Sequence, residues 1–198
     1  STILFDTMQE MYKHEAKIKQ HKNVTHYTYG RYGSTTTIQL ENILKELEKA
    51  YHVFLTGTGF GGIALALMSL CRPGDEILVS DNVYGPTKEI SEKLLKEFNI
   101  NAKFYNPNSF DDLKNKVTKK TKMILVENPG SNTFEFQDLS KIVSLAKRKK
   151  IFTLLDNTWG TPLYLKPLEL GFDMSFSSAT KYFSGHSDAM GGSLAVNK

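Results

Sequence analysis

The chain has 198 residues, 40% of them hydrophobic and 23% charged, with a formal net charge of +4. That is an ordinary globular composition, long enough for one sizeable core, and no apolar run approaches the ~18 residues of a membrane span. The start, residues 1–8, lacks the basic-then-apolar pattern of a signal peptide, and the single cysteine, Cys71, rules out a disulfide framework or a cysteine-based metal site. A reducing, cytoplasmic setting with no membrane partner is expected. The basic run Lys147-Arg148-Lys149-Lys150 reads as the solvated end of a helix, where cations complement the dipole, rather than a nucleic-acid patch.

In chain order, residues 5–20 read as a moderately amphipathic helix. Residues 23–37 are rich in Tyr, Gly, Ser and Thr, with Tyr27, Tyr29 and Tyr32 around Arg31, and read as an extended exposed loop. A helix from Thr37 to Tyr51 follows, with Ile38, Leu40, Ile43, Leu44 and Leu47 as its apolar stripe. From there strand and helix alternate. Strands are expected at 53–55, 76–80, 102–105, 122–127, 151–155, 173–177 and 193–196, and helices at 63–70, 86–97, 110–117 and 139–149. Several strands are continuous apolar runs, as when both faces of a sheet are covered. The expected fold is therefore α/β, a mostly parallel sheet with helices on both faces. In such folds ligands sit at the carboxyl ends of the strands. Here those ends carry Thr58 and Gly59, Asp81 to Tyr84, Glu127 to Ser131, Asp156, and Ser178 to Lys181.

Two readings of those ends compete. Gly57, Gly59 and Gly62 match the G-x-G-x-x-G pattern, with Asp81 at the end of the next strand, as in a dinucleotide-binding domain. Against this, a long helix-and-loop segment precedes the glycines, Tyr84 sets an aromatic beside them, and the reading gives Asp156 and Lys181 no joint role. Pyridoxal phosphate makes four demands that these residues can meet. Lys181 offers an amine for its aldehyde, and Asp156 an anion for its ring nitrogen. The Gly59 and Phe60 amides, with the Ser178 and Thr180 hydroxyls, offer a phosphate cradle. Tyr84 offers a surface for the ring to stack on.

Asp156-Asn157-Thr158-Trp159, Ser178-Ala179-Thr180-Lys181-Tyr182 and Gly185-His186-Ser187-Asp188 together resemble the Cys/Met-metabolism family of pyridoxal-phosphate enzymes, the transsulfuration lyases and synthases. The resemblance covers essentially the whole chain. It implies the aspartate-aminotransferase-like large domain of fold type I over residues 51–198. It also implies an N-terminal helix and exchange loop over residues 1–50 that contacts a neighbouring subunit, and a C-terminal domain that this chain does not include. In that family pattern Lys181 holds the cofactor aldehyde and acts in catalysis, Asp156 partners the ring nitrogen, and Tyr84 stacks on the ring and helps activate the substrate amine. Gly59, Phe60, Ser178 and Thr180 take the phosphate. Tyr29 and Arg31 reach the phosphate of the neighbouring subunit, which requires a homo-oligomer, expected to be a tetramer.

Asn128-Pro129-Gly130-Ser131, Trp159 and Gly185 to Met190 lean toward cystathionine β-lyase. The implied reaction is α,β-elimination on cystathionine to homocysteine, pyruvate and ammonia. A γ-lyase, γ-synthase or methionine γ-lyase of the same family is an alternative, as is a cofactor-binding remnant without turnover. His186 reads as structural. The arginine that binds the substrate carboxylate in the family falls in the part not included.

Overall fold

The computed structural model describes residues 4–20, 30 and 33–198, and the chain divides into two units, Ser1–Leu44 and Lys45–Lys198. Tyr29 and Arg31 lie outside the described residues. In the first unit, helix α1 spans Met8–Gln20, with the Thr7 hydroxyl accepting the Glu10 N–H at 3.2 Å. Helix α2 spans Thr35–Glu48 and runs across the division. It starts on a reciprocal cap: the Thr37 N–H donates to Ser34 Oγ at 3.3 Å and the Ser34 N–H to Thr37 Oγ1 at 2.8 Å. Of the expected apolar stripe, Leu44 is buried, whereas Leu40, Ile43 and Leu47 remain exposed.

The second unit is built on seven strands: β1 (His52–Thr56), β2 (Glu76–Ser80), β3 (Asn101–Tyr105), β4 (Thr121–Glu127), β5 (Phe152–Asp156), β6 (Met174–Ser177) and β7 (Gly192–Val196). They form one sheet in the order β1-β7-β6-β5-β4-β2-β3. β2 pairs in parallel with both β3 and β4, and β4-β5 and β5-β6 continue in parallel. β7 runs antiparallel to both its neighbours, β1 and β6. The sheet is therefore mostly parallel, as expected, with one reversed strand that sequence patterning does not reveal. It also separates β1 from β2 by four strands. A dinucleotide unit needs the strand before its glycine turn and the strand after its helix to be neighbours, so the topology sets that reading aside.

Strand side chains alternate between two apolar layers. On one face Ile77, Val79, Met123, Leu125, Leu154, Phe176 and Leu194 pack with Ile63, Ala66 and Leu67 of helix α3 (Gly59–Leu70). The opposite face presents Leu78, Ile124, Val126 and Leu155. These pack against Leu113 of α6 (Phe110–Lys116) and Leu139, Ile142, Val143 and Ala146 of α7 (Leu139–Lys149). The expected helix at 86–97 is three pieces: α4 (Gly85–Glu89), a π-helical turn at Ile90–Leu94, and α5 (Leu95–Glu97). Two helices of four residues, α8 (Thr161–Tyr164) and α9 (Pro167–Leu170), join β5 to β6. They are too short to show a period in sequence, and each carries a proline in its first turn.

Gly62 is fixed by packing. A Cβ there would stand 2.8 and 2.9 Å from ring carbons of the buried Phe176, so the glycine lets α3 lie close on β6. Gly62→Ala is expected to cost about 1–3 kcal/mol through overpacking, read as a lower midpoint in urea unfolding followed by circular dichroism.

Candidate active site

Every parallel strand in the central sheet ends at the same edge, and Gly59, Phe60, Tyr84, Asp156, Ser178, Thr180 and Lys181 lie at or just beyond those ends. β1 ends at Thr56, whose hydroxyl donates to the Thr58 carbonyl at 2.8 Å. Thr58 then caps α3, its Oγ1 accepting the Gly61 N–H at 3.0 Å. The Gly59 and Phe60 amides lie in the first helical turn, where no carbonyl four residues back is available to them. With the positive end of the helix dipole, they form an anion site. Gly59 is required by proximity: a Cβ would approach Ser178 Oγ to 2.5 Å, while Gly192 packs from the other side, where a Cβ would stand 3.0 Å from the Gly59 Cα. The structure thus brings Gly59, Phe60 and Ser178 together.

β5 and β6 remain stitched beyond their last paired residues. The Asn157 N–H donates to the Phe176 carbonyl at 2.7 Å, and the Ser178 N–H to Thr158 Oγ1 at 2.8 Å. Asp156, opposite Phe176 in register, shares strand parity with Leu154 and therefore faces the α3 side, where Phe176 and Ser178 also lie. Its Oδ1 accepts the Thr158 N–H at 3.0 Å. The residue is 7% exposed, and no ion pair to it is found among the described residues. Burial pushes its carboxyl up to about 6, against opposing hydrogen bonds from Thr158.

Lys181 sits in the turn that leaves β6. Its N–H donates to the Ser178 carbonyl at 3.0 Å, and its own carbonyl accepts the Gly185 N–H at 2.8 Å. The lysine is exposed, although the strand that precedes it is buried up to its end at Ser177. Thr180 closes that loop: its Oγ1 accepts the Gly191 N–H at 3.1 Å and donates to the Gly191 carbonyl at 3.3 Å, so donation to a phosphate would replace the longer bond. His186 Nδ1 lies 2.8 Å from the Ser184 carbonyl within the same loop.

Tyr84 is 50% exposed at the start of α4. Its N–H donates to Glu127 Oε2 at 2.7 Å. Glu127, the last residue of β4, is in register with Asp156 on β5. Burial, and then the Asp156 charge, push its carboxyl up to about 7. It stands at a strand end in sequence, but its role depends on β4 lying beside β5, which sequence alone does not disclose. Beneath Tyr84, buried Asn82 contacts the Ser80 hydroxyl and leaves room only for glycine at 130, where a Cβ would stand 2.1 Å from Asn82 Nδ2. Phe134 and Trp159 meet edge to face at 6.3 Å on the rim.

The residues present fit pyridoxal phosphate: a helix N-terminus at α3, against which Gly59 and Ser178 close, that can take an anion, and on the same face a buried carboxylate that makes no ion pair among the described residues. The fold is that of the pyridoxal-phosphate enzymes of fold type I. The chain belongs to the Cys/Met metabolism PLP-dependent enzyme family, whose sequence profile matches residues 1–198.

It is 34% identical over 197 residues to a cystathionine beta-lyase of Bordetella avium, covering 100% of this chain and 49% of that protein. It is 33% identical over 200 residues to an L-alanine/L-glutamate racemase of Wolbachia pipientis, covering 98% and 49%. A candidate O-acetylhomoserine (thiol)-lyase of Campylobacter jejuni, solved with N'-pyridoxyl-lysine-5'-monophosphate, superposes with a TM-score of 0.88 at 28% identity, covering 100% of this chain and 48% of that one. The chain spans about half the length of the curated relatives it matches. Among the described residues no helix is long and apolar enough to cross a membrane.

The raised Asp156 carboxyl carries a stability signature. Its folded value, about 6, exceeds its unfolded one. The favourable contribution is therefore complete below the unfolded value near 3.8 and is lost as pH rises through 6. Asp156→Asn keeps an oxygen for the Thr158 N–H and removes the buried charge. In the cofactor-free chain it is expected to stabilise by about 1–2 kcal/mol at pH 8 and to have little effect at pH 4, measured by urea unfolding.

Proposed function

We propose that the protein is a pyridoxal-phosphate-dependent carbon–sulfur lyase that cleaves cystathionine by α,β-elimination. The observation that carries this is the buried Asp156 carboxylate, without an ion pair among the described residues, at the strand-end edge and on the face where Gly59 and Ser178 meet. Pyridoxal phosphate, when bound, supplies an aldehyde that takes the substrate amine and an electron-poor ring that accepts the electrons left on the α-carbon. Asp156 would hold its charge against the ring nitrogen. The Gly59 and Phe60 amides and the Ser178 and Thr180 hydroxyls would hold the phosphate. Tyr84 would offer a stacking surface and take the proton of the substrate amine. Lys181 would hold the aldehyde at rest, and its Nζ would take the α-proton of the substrate and return one to the departing sulfur. The carbon–sulfur bond at the β-carbon breaks. Overall, cystathionine and water give homocysteine, pyruvate and ammonia.

In this reading residues 1–50 form an exchange arm and residues 51–198 the cofactor domain. Tyr29 and Arg31 of one copy complete the phosphate site of another, so the working form is a homo-oligomer, taken to be a tetramer. The β-lyase assignment is favoured over its relatives by Asn128 to Ser131 and Trp159, and by the likeness to the Bordetella protein. A cytoplasmic location is supported by the one cysteine, Cys71, which is buried and free.

The chain loaded with pyridoxal phosphate is expected to absorb at the edge of the visible, to retain a pyridoxyl group on the peptide holding Lys181 after borohydride reduction, and to release pyruvate from cystathionine. Lys181→Ala should abolish the retained group and lower pyruvate release by about 10²–10⁴-fold. Release of 2-oxobutanoate in place of pyruvate would move the reading to a γ-lyase. Interconversion of alanine enantiomers without keto acid would move it to a racemase, and a retained pyridoxyl group without turnover to a binding remnant.

A further inference from the structure

Glu127 is a half-buried acid at the site edge that the reaction above does not use. Its position is set by three constraints. β4 and β5 pair in parallel with Glu127 opposite Asp156, so the two backbones lie about 4.8 Å apart there. Both side chains face α3, because Met123 and Leu125 on β4 and Leu154 on β5, which share their parity, belong to the α3-side core. On its other side Glu127 accepts the Tyr84 N–H at 2.7 Å. It therefore bridges the residue read as stacking on the cofactor ring and the residue read as holding the ring nitrogen.

The groups that face it are the Asp156 carboxylate from β5, the Tyr84 N–H at the start of α4, and Ser131 from the loop after β4. None carries a full positive charge. Two carboxyls that stand opposite each other in register at neighbouring strand ends and on one face resist ionising together, and the Asp156 charge adds to burial in pushing the Glu127 carboxyl up.

We propose that Glu127 is a positioning residue that shares one proton with Asp156 while the ring site is empty, and that a cationic ring nitrogen seated against Asp156 takes over the role of that proton. The cation then permits both carboxylates to be charged, and an ionised Glu127 holds the Tyr84 main chain more firmly by a charge-assisted bond. Ring seating and Tyr84 placement become linked through one proton. The idea rests on the cofactor reading above, but its first half belongs to the cofactor-free chain and can be judged there alone.

The test is a carboxyl ¹³C NMR titration of the cofactor-free chain from pH 4 to 9, for the wild type, Glu127→Gln and Asp156→Asn. The wild type should show two steps from the pair, the upper one near pH 7. Either substitution should remove the upper step, leaving one carboxyl that titrates at least about one pH unit lower. An upper step that persists in both variants overturns the proposal. Because each variant tests the other residue, loss of folding in one leaves the second decisive.

A parallel arm measures pyridoxal phosphate affinity by absorbance between pH 5.5 and 8.5. The ratio of wild-type to Glu127→Gln affinity should rise across pH 7, and a flat ratio overturns the linkage. Absence of binding to the wild type at every pH overturns the linkage together with the cofactor reading, while the proton-sharing pair still stands or falls on the NMR titration.

Discussion

A carboxylate buried at the sheet edge, with no ion pair among the described residues, is the constraint around which this structure is arranged. Asp156 closes a strand that is buried from Thr153 onward, and among the described residues the hydrogen bonds to its carboxylate come from Thr158. Desolvating a carboxylate is unfavourable unless it is paired. The rest of the unit offsets that cost with two apolar layers packed on a sheet whose central residues, among them Ile77, Leu78, Val79, Met123 and Ile124, are completely buried. The energy stored in this arrangement is available to a cation that arrives at the site, which is how a fold can hold binding energy in reserve.

Around that charge the backbone is drawn unusually close. β7 slips between β1 and β6, and Gly192 at its start lies where a Cβ would stand 2.6 Å from Thr56 Oγ1. Gly59 abuts Ser178, and Gly62 abuts Phe176. The three contacts pull the α3 N-terminus onto the end of β6, so that the anion site and the carboxylate share one face. Gly59 and Gly62 also belong to the pattern that reads as a dinucleotide fingerprint in sequence. In three dimensions both are explained by close helix–strand approach, and the strand order provides no dinucleotide unit for them to serve.

The sequence made much of this legible, for specific reasons. Glu76–Ser80 and Leu139–Lys149 are read to the residue, because an uninterrupted apolar strand and a helix capped by Asp138 have sharp ends. The class of the sheet followed from alternation, and the location of Asp156, Gly59 and Ser178 followed from the rule that parallel strands end on the ligand. What the sequence left dark was adjacency. The reversal of β7 and the pairing of Glu127 with Asp156 both depend on strand order, and strand order is set by which helix crosses which face, not by any local pattern. The exposure of Lys181 is not legible for a related reason: the buried strand that precedes it says nothing about the surroundings of the turn that follows. The π-helical turn at Ile90–Leu94 was invisible because one extra residue in a helix hardly disturbs its apolar period.

Other buried acids in the same unit show why location, rather than burial, selects Asp156. Glu76 is also buried, at the opposite end of β2, and burial alone would raise its carboxyl. Lys103 pairs with it, the Thr121 and Thr118 hydroxyls donate to it, and together they hold it below the usual range. That is a structural acid with its partners supplied by the chain. Glu48, at the end of α2, is a harder comparison. It too is buried, it makes no ion pair among the described residues, and burial pushes it up to about 7, offset only in part by a Ser175 hydrogen bond and the Lys166 charge. But Ser175 points to the sheet face opposite Phe176, so Glu48 lies away from the α3 N-terminus and from the strand ends. An unpaired buried acid is therefore not a site by itself. Asp156 differs because the same backbone that buries it also brings the N-terminus of α3 to its own face and a lysine-bearing turn to the adjoining strand, and a flat ligand with a cationic ring and an anionic phosphate would meet all three.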